Sequence, residues 1–323
     1  MRTRQLGRSD LHLTTVGFGA WAIGGQGYKF SWGPQDDNDS IAAIREAVAH
    51  GVNWIDTAAV YGAGHSETVV GRALQGFSPK PFVATKCGRV LNEERGPKGD
   101  LRPEHVRQEC EESLRRLKVE RIDLYQIHWP DPDPEIEGAW EILAKLKEQG
   151  KVRHLGVSNF SPAQMRRLQK LHPIASLQPP YSMLRREIEA DILPFCAEHG
   201  IGVVCYSPMQ CGLLTGAFDR ARLEALAPDD WRRRNPFFQD PSFGATLELV
   251  EGMRRLAARL ELTCAQLALA WVLRRPEITS AIAGARKPGQ IAETAKAGDV
   301  DLPADVIAKL DALLANREKK VNP

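Results

Sequence analysis

The chain has 323 residues, with 43 Lys and Arg against 41 Asp and Glu, a net charge of +2 and 43% hydrophobic residues. A charge so balanced leaves no cationic excess for a nucleic-acid backbone or an anionic membrane, and turns attention to small-molecule partners. No run approaches the roughly 18 apolar residues of a spanning helix and the N-terminus has no apolar signal core, so a cytoplasmic protein is expected.

Residues 4–6 and 11–15 flank the turn cluster Gly7-Arg8-Ser9-Asp10 and read as a hairpin ahead of the main fold. Residues 16–18 then open a regular alternation. Asp39 is a candidate cap for a helix over 40–50, followed by strand 53–55; Ser66 is a candidate cap for a helix to residue 74, followed by strand 82–85. A helix over 102–118 precedes the fourth strand, 122–127, and the proline-rich loop after His128. Helix 136–149 and strand 152–157 lead to Ser161-Pro162-Ala163-Gln164, a capping box with proline at the first helical position. Strand 175–177, helix 188–199 and strand 202–205 come next. A long insertion, 207–244, contains Trp231-Arg232-Arg233-Arg234 and is expected to form a lid over cofactor or substrate. Helices 245–260 and 264–274, the second opened by a capping box at Thr263, precede strand 278–283 and two closing helices, 288–297 and 304–315.

Eight short apolar strands alternating with helices imply an α/β fold with a parallel sheet, and a count of eight favours a closed (β/α)8 TIM barrel. With no linker or repeat, residues 1–323 are expected to form one barrel domain, preceded by the hairpin and carrying extra helices near the C-terminus.

In such barrels the chemistry gathers at the carboxyl ends of the strands. Strand two ends in Asp56 with Tyr61 beyond it, strand three in Lys86, strand four in His128, strand five in Ser158 and Asn159, strand six in Gln178, and strand seven in Tyr206 and Ser207. Four of these make a proton-donating unit. Asp56 would hold Lys86 charged, Lys86 would lower the pKa of the Tyr61 phenol, and a neutral His128 would donate to and orient a carbonyl oxygen. Trp21, Tyr28, Phe30, Trp32 and Trp129 all fall on loops at the same end and suggest an apolar substrate wall.

Other signals are weaker. Gly17-Phe18-Gly19 lacks the third glycine and the acidic residue of a dinucleotide fingerprint, and reads as a tight turn at the first strand end. Six cysteines (Cys87, Cys110, Cys196, Cys205, Cys211, Cys264) contain no C-x-x-C pair, in keeping with reduced thiols. Eight histidines include no H-E-x-x-H, so no metal is expected. The Trp231–Arg234 run reads as a solvated turn, with the alternative that one of Arg232 to Arg234 closes over cofactor phosphates.

Gly51-Val52-Asn53-Trp54-Ile55-Asp56-Thr57-Ala58-Ala59-Val60-Tyr61-Gly62, the lysine of Ala84-Thr85-Lys86, the histidine of Tyr125-Gln126-Ile127-His128, the run Leu155-Gly156-Val157-Ser158-Asn159-Phe160, Tyr206-Ser207-Pro208 and the late Gly284-Ala285-Arg286-Lys287-Pro288-Gly289-Gln290 together resemble the aldo-keto reductase superfamily, in its order and over nearly the whole chain. The Trp32-Gly33-Pro34-Gln35-Asp36-Asp37 run and the late insertion resemble its bacterial branch near the general-stress-protein-type reductases and the potassium-channel β subunits. The resemblance implies a barrel that binds NADP(H) without a Rossmann domain, with Asp56, Tyr61, Lys86 and His128 as the catalytic four. It implies further that Ser158, Asn159 and Gln178 hold the nicotinamide carboxamide, that Tyr206 stacks on its ring with Trp21 nearby, and that the backbone of Ser207 to Leu213, Pro208, Met209 and Gly212 included, lines the pyrophosphate. Gly284, Arg286, Lys287 and Gln290 would hold the adenosine 2′-phosphate, and Glu293 and Thr294 would meet adenine, although the family has asparagine where this chain has Thr294. The charges of Arg286 and Lys287 favour NADPH over NADH. The expected activity is reduction of a small-molecule aldehyde or ketone. A cofactor-carrying regulatory subunit with vestigial turnover, and a Schiff-base aldolase using Lys86, are the rivals. An oligomer is possible but not evident from the sequence.

Overall fold

The computed structural model describes every residue but Pro323. Val16–Gly19, Trp54–Asp56, Phe82–Cys87, Ile122–Ile127, Val152–Ser158, Ser176–Gln178, Gly202–Cys205 and Ile278–Gly284 pair in parallel in that order, and the eighth pairs with the first through Ala281 and Val16, closing the expected (β/α)8 barrel. The fourth and seventh strands have the predicted bounds, and the others shift by one or two residues at one or both ends. The hairpin also forms, Thr3–Gln5 against His12–Thr14. Its Leu6, Leu11 and Leu13 pack on Trp54, Ala84, Leu124, Val204 and Ile282, so the hairpin plugs the barrel.

Gly17-Phe18-Gly19 is not the tight turn expected at the end of strand one. Both glycines lie inside the first strand, where a Cβ on Gly17 would come within 2.1 Å of the Trp54 indole and one on Gly19 within 2.6 Å of Ile282. They are neither a turn nor a phosphate loop; they make room for two side chains of the barrel core.

Two helix starts differ from expectation. Asp36, in an extended conformation, accepts from the Asn38 and Asp39 amides and caps Asp37–Ala49, which leaves Asp39 in the first turn beside the dipole it complements. Helix His65–Ala73 begins after a left-handed Gly64; the Ser66 hydroxyl instead donates to the Ala20 carbonyl, tying the helix to the end of strand one. The predicted helix over 188–199 splits into a turn, Glu187–Glu189, and Ile192–His199, because Pro194 has no amide to continue an earlier helix but sits harmlessly in a first turn. Both capping boxes form, at Ser161 with Gln164 and at Thr263 with Gln266. The insertion ends earlier than predicted, at a helix starting with Ser242, and the last helix runs on to Val321. A second hairpin, Arg89–Leu91 with Pro97–Gly99, was not expected; three-residue strands give no period to read.

Helix Pro103–Leu117 sets Glu109 against the point where the chain leaves strand three, and its carboxyl accepts from the Gly88 amide at 2.7 Å. Burial pushes this carboxyl up to about 8, the Gly88 amide opposing. Glu109 is therefore protonated in the folded protein and ionised when unfolded. Its contribution is complete below the ordinary glutamate value near 4.3 and is lost as the pH rises toward about 8, by up to about 1.4 kcal/mol per unit. Glu109→Gln should flatten that decline. Urea midpoints at pH 5.5 and pH 8 should differ less than in the parent protein; an equal effect of the substitution at both pH values would refute the reading.

Among the described residues all six cysteines are free and no single helix is long and apolar enough to cross a membrane.

Candidate active site

Strand alternation turns Asp56 and Lys86, on adjacent strands, into the barrel, where both are buried. The Lys86 ammonium donates to Asp56 Oδ1 at 2.6 Å and to the Thr57 carbonyl at 2.8 Å. Asp56 Oδ2 accepts from the Gln178 amide nitrogen at 2.8 Å, so strand six is tied into the same group. The ammonium lies 5.2 Å from the centre of the Tyr61 ring, and that ring meets His128 edge to face at 5.7 Å. The four residues expected to act together thus come together from three strands and one loop.

Their electrostatics differ from expectation at one point. Tyr61 was expected to be acidified by Lys86, yet its pKa is raised well above the ordinary value, first by burial and then by the charge of Asp56. Lys86 is spent on Asp56 and Thr57, so the pair presents little net charge to the phenol and desolvation dominates. Burial likewise pulls Lys86 below the ordinary lysine value, with Asp56 opposing. His128 is held well below the ordinary imidazole value by burial, then by Lys86 and Arg89, and so stays neutral. Its Nδ1 is buried with no partner among the described residues.

A polar relay surrounds this floor. The Ser158 hydroxyl donates to the Gln178 carbonyl at 2.8 Å, the Asn159 amide nitrogen donates to Ser158 Oγ and to the His128 carbonyl, and the Tyr206 hydroxyl donates to Asn159 Oδ1 at 2.9 Å. Asn159 (φ 65°) and then Ser207, Gln210, Cys211 and Gly212 adopt left-handed backbone, a conformation that costs a non-glycine residue roughly 1–2 kcal/mol and gathers where a mouth loop must turn sharply.

Above the floor opens a cavity of about 920 Å³, near the upper end of the roughly 300–1,000 Å³ of ligand pockets. The five loop aromatics, Trp21, Tyr28, Phe30, Trp32 and Trp129, all line it, as expected. Trp231, expected in a solvated turn, lines it too. It stacks on Trp21 at 5.5 Å and meets Trp32 edge to face at 5.7 Å. Trp231 and Arg232 are buried, whereas Arg233 and Arg234 are not, so the charge pattern of this run concealed an inward-facing pair. The tryptophan itself was the usable signal, since so large an apolar surface is seldom left in water.

Gly284, Arg286, Gln290, Glu293 and Thr294 line the far end, together with Ser207, Pro208, Met209 and Gly212. Leu213 and Lys287 do not. Leu213 is buried with Phe218, Phe238 and Phe243 in a separate apolar cluster, and Lys287 falls outside the cavity wall. Arg286 Nε donates to Gln35 at 2.7 Å, which holds the guanidinium in place while keeping its charge. Burial lowers its pKa, and the neighbouring Arg232 lowers it further, so two guanidiniums share this end. Arg232 is paired with Asp230 at 2.6 Å. The Thr294 hydroxyl donates to the Gln290 carbonyl of its own helix.

Side-chain amides at one end, left-handed backbone in the middle and two arginines at the other match the polarity of an elongated nucleotide carrying phosphates. The sequence profile of the aldo/keto reductase family matches residues 15–315, and the chain belongs to that family. It is 37% identical to the aldo-keto reductase YhdN of Bacillus subtilis over 294 residues, covering 90% of this chain and 87% of the other. It is 35% identical over 317 residues to an Escherichia coli protein named NADH-specific methylglyoxal reductase, covering 94% and 95%. The structure of a glycerol dehydrogenase from Gluconobacter oxydans superposes with a TM-score of 0.89 at 40% identity, covering 98% of this chain and 95% of that one. The protein is therefore an oxidoreductase of a family that works on carbonyl groups with a nicotinamide cofactor.

Proposed function

We propose that the protein reduces aldehydes and ketones to alcohols using NADPH, with Tyr61 as the general acid. The observation that carries this reading is the phenol itself, set at the cavity floor beside a buried Lys86–Asp56 pair and a neutral His128. When bound, the nicotinamide supplies the hydride. Tyr61 gives the proton to the carbonyl oxygen. The oxygen becomes strongly basic only as hydride reaches the carbon, so the phenol acts as the acid without being acidified at rest. His128, neutral and with a ring edge near the phenol, donates to the same oxygen and orients it. Lys86, held by Asp56 and Thr57, offsets the Asp56 charge that would otherwise oppose a phenolate here, and Gln178 fixes the carboxylate.

Asn159, Ser158 and Gln178 would hold the carboxamide, and Tyr206, tethered through its hydroxyl, would offer its ring face. The 207–212 backbone would meet the pyrophosphate, and the whole 207–244 segment would act as the lid. Lys86 is buried and does not reach the cavity wall, which argues against a Schiff base there.

Charge supports the choice of NADPH. Arg286, with the Arg232–Asp230 pair beside it, offers a cation where a 2′-phosphate would lie, although the E. coli relative is named as NADH-specific. Arg286→Ala should raise the KM for NADPH by about 10-fold or more and leave that for NADH nearly unchanged, as a lost charge-assisted hydrogen bond of about 1.5–3 kcal/mol requires. An equal change for both cofactors would point to NADH or to no preference. The function itself is tested by following nicotinamide absorbance over a panel of aldehydes, ketones and sugars. Turnover below roughly 1 per second on every one, despite tight NADPH binding, would favour a regulatory subunit instead.

A further inference from the structure

The hairpin that the sequence did not reveal delivers one charged side chain to the substrate end of the cavity. Arg89, at its start, lines the cavity wall with Trp129 and His128, and its guanidinium sits 5.6 Å from the centre of the Trp129 ring. One nitrogen, Nη1, donates to Asp131 at 2.7 Å. Nε and Nη2 have no protein acceptor among the described residues, although the side chain is only 15% exposed. The free pair is the side-on edge of the guanidinium, the geometry that takes a carboxylate through two parallel hydrogen bonds. The stack against Trp129 and the bond to Asp131 fix the group in advance, so little rotamer freedom is lost when that edge is engaged. Asp131 is 58% exposed, and such a pair is screened and worth little, so it does not cancel the pull of Arg89 on an anion inside the wall.

We infer that Arg89 is a specificity-determining residue, and that the preferred substrates are aldehydes or ketones whose apolar, aromatic-tolerant body ends in a carboxylate. The inference rests on the proposed carbonyl reduction. In the bound arrangement the carbonyl lies at Tyr61, the body runs along the tryptophan wall, and the carboxylate meets Nε and Nη2 of Arg89.

The experiment compares 4-carboxybenzaldehyde with its methyl ester, which keeps the body and removes the charge. The acid should have the higher kcat/KM in the parent protein. Arg89→Met should lower kcat/KM for the acid by about 10- to 100-fold, mainly through KM, while the ester changes by less than about threefold. Arg89→Lys, which keeps charge but not the fork, should fall between. Asp131→Asn should act in the opposite direction and lower the KM for the acid, which no folding defect would imitate. The inference is overturned if the parent protein does not prefer the acid, or if acid and ester decline together in Arg89→Met. If neither aldehyde is reduced, the proposed activity fails separately. Titration of terephthalate against tryptophan fluorescence then reads the Arg89 site alone, with binding expected in the parent and weakened in Arg89→Met; equal binding in both would dismiss it.

Discussion

Replacing Tyr61 with phenylalanine is expected to lower kcat for aldehyde reduction by about 10²- to 10⁴-fold, the usual contribution of a positioned acid. The Tyr61 hydroxyl has no hydrogen-bond partner among the described side chains, so the substitution breaks no structural contact and leaves the ring packed between Trp21 and His128. NADPH binding, read from nicotinamide fluorescence, and the unfolding midpoint should both stay close to the parent values. The pH profile of the parent carries a related expectation. With Tyr61 well above its ordinary value and His128 well below its own, neither titrates between pH 7 and pH 9, and kcat should be level over that range. The histidine also affects stability. Its folded pKa lies below the unfolded value near 6.5, so stability is full above that value and lost as the pH falls below it. Activity in Tyr61→Phe within tenfold of the parent would end the assignment of this phenol as the acid.

Lys86→Met should cost both stability and activity. The ammonium is fully buried, and its loss leaves the Asp56 carboxylate in the barrel with Gln178 as its remaining side-chain donor. Stranding one member of a buried ion pair costs about 3–5 kcal/mol, a large part of the roughly 5–15 kcal/mol that holds a domain folded. The double variant Asp56→Asn with Lys86→Met removes the stranded charge and should recover most of the urea midpoint. If the single variant were as stable as the parent, the pair would not be the buried anchor described here.

Much of the site was legible along the chain because barrel chemistry sits at strand ends, and strand ends can be counted. Asp56, Lys86, Ser158 and Gln178 lie at the carboxyl ends of strands, where alternation sends their side chains inward, and His128 and Asn159 directly follow two strands. Residues beyond the strands were harder. Trp231 and Arg232 sit in a turn whose neighbours are solvated, and no local pattern distinguishes an arginine that turns inward from one that does not. Arg89 lies on strands too short to leave a period, and only its approach to Trp129 reveals its part. Leu213 and Lys287 are neighbours in sequence of cavity residues, but their side chains are turned elsewhere.

The sequence by itself determined the barrel, the hairpin ahead of it, both capping boxes and the four residues at its mouth, because these follow from local periods and from the fixed alternation of a strand. Tertiary structure alone decided the charge state of the phenol, since that depends on how much water is excluded and on where the Lys86 ammonium spends its hydrogen bonds. It also decided which arginines face inward and that two glycines serve the core, because burial belongs to the packed whole and is not a property of any one residue.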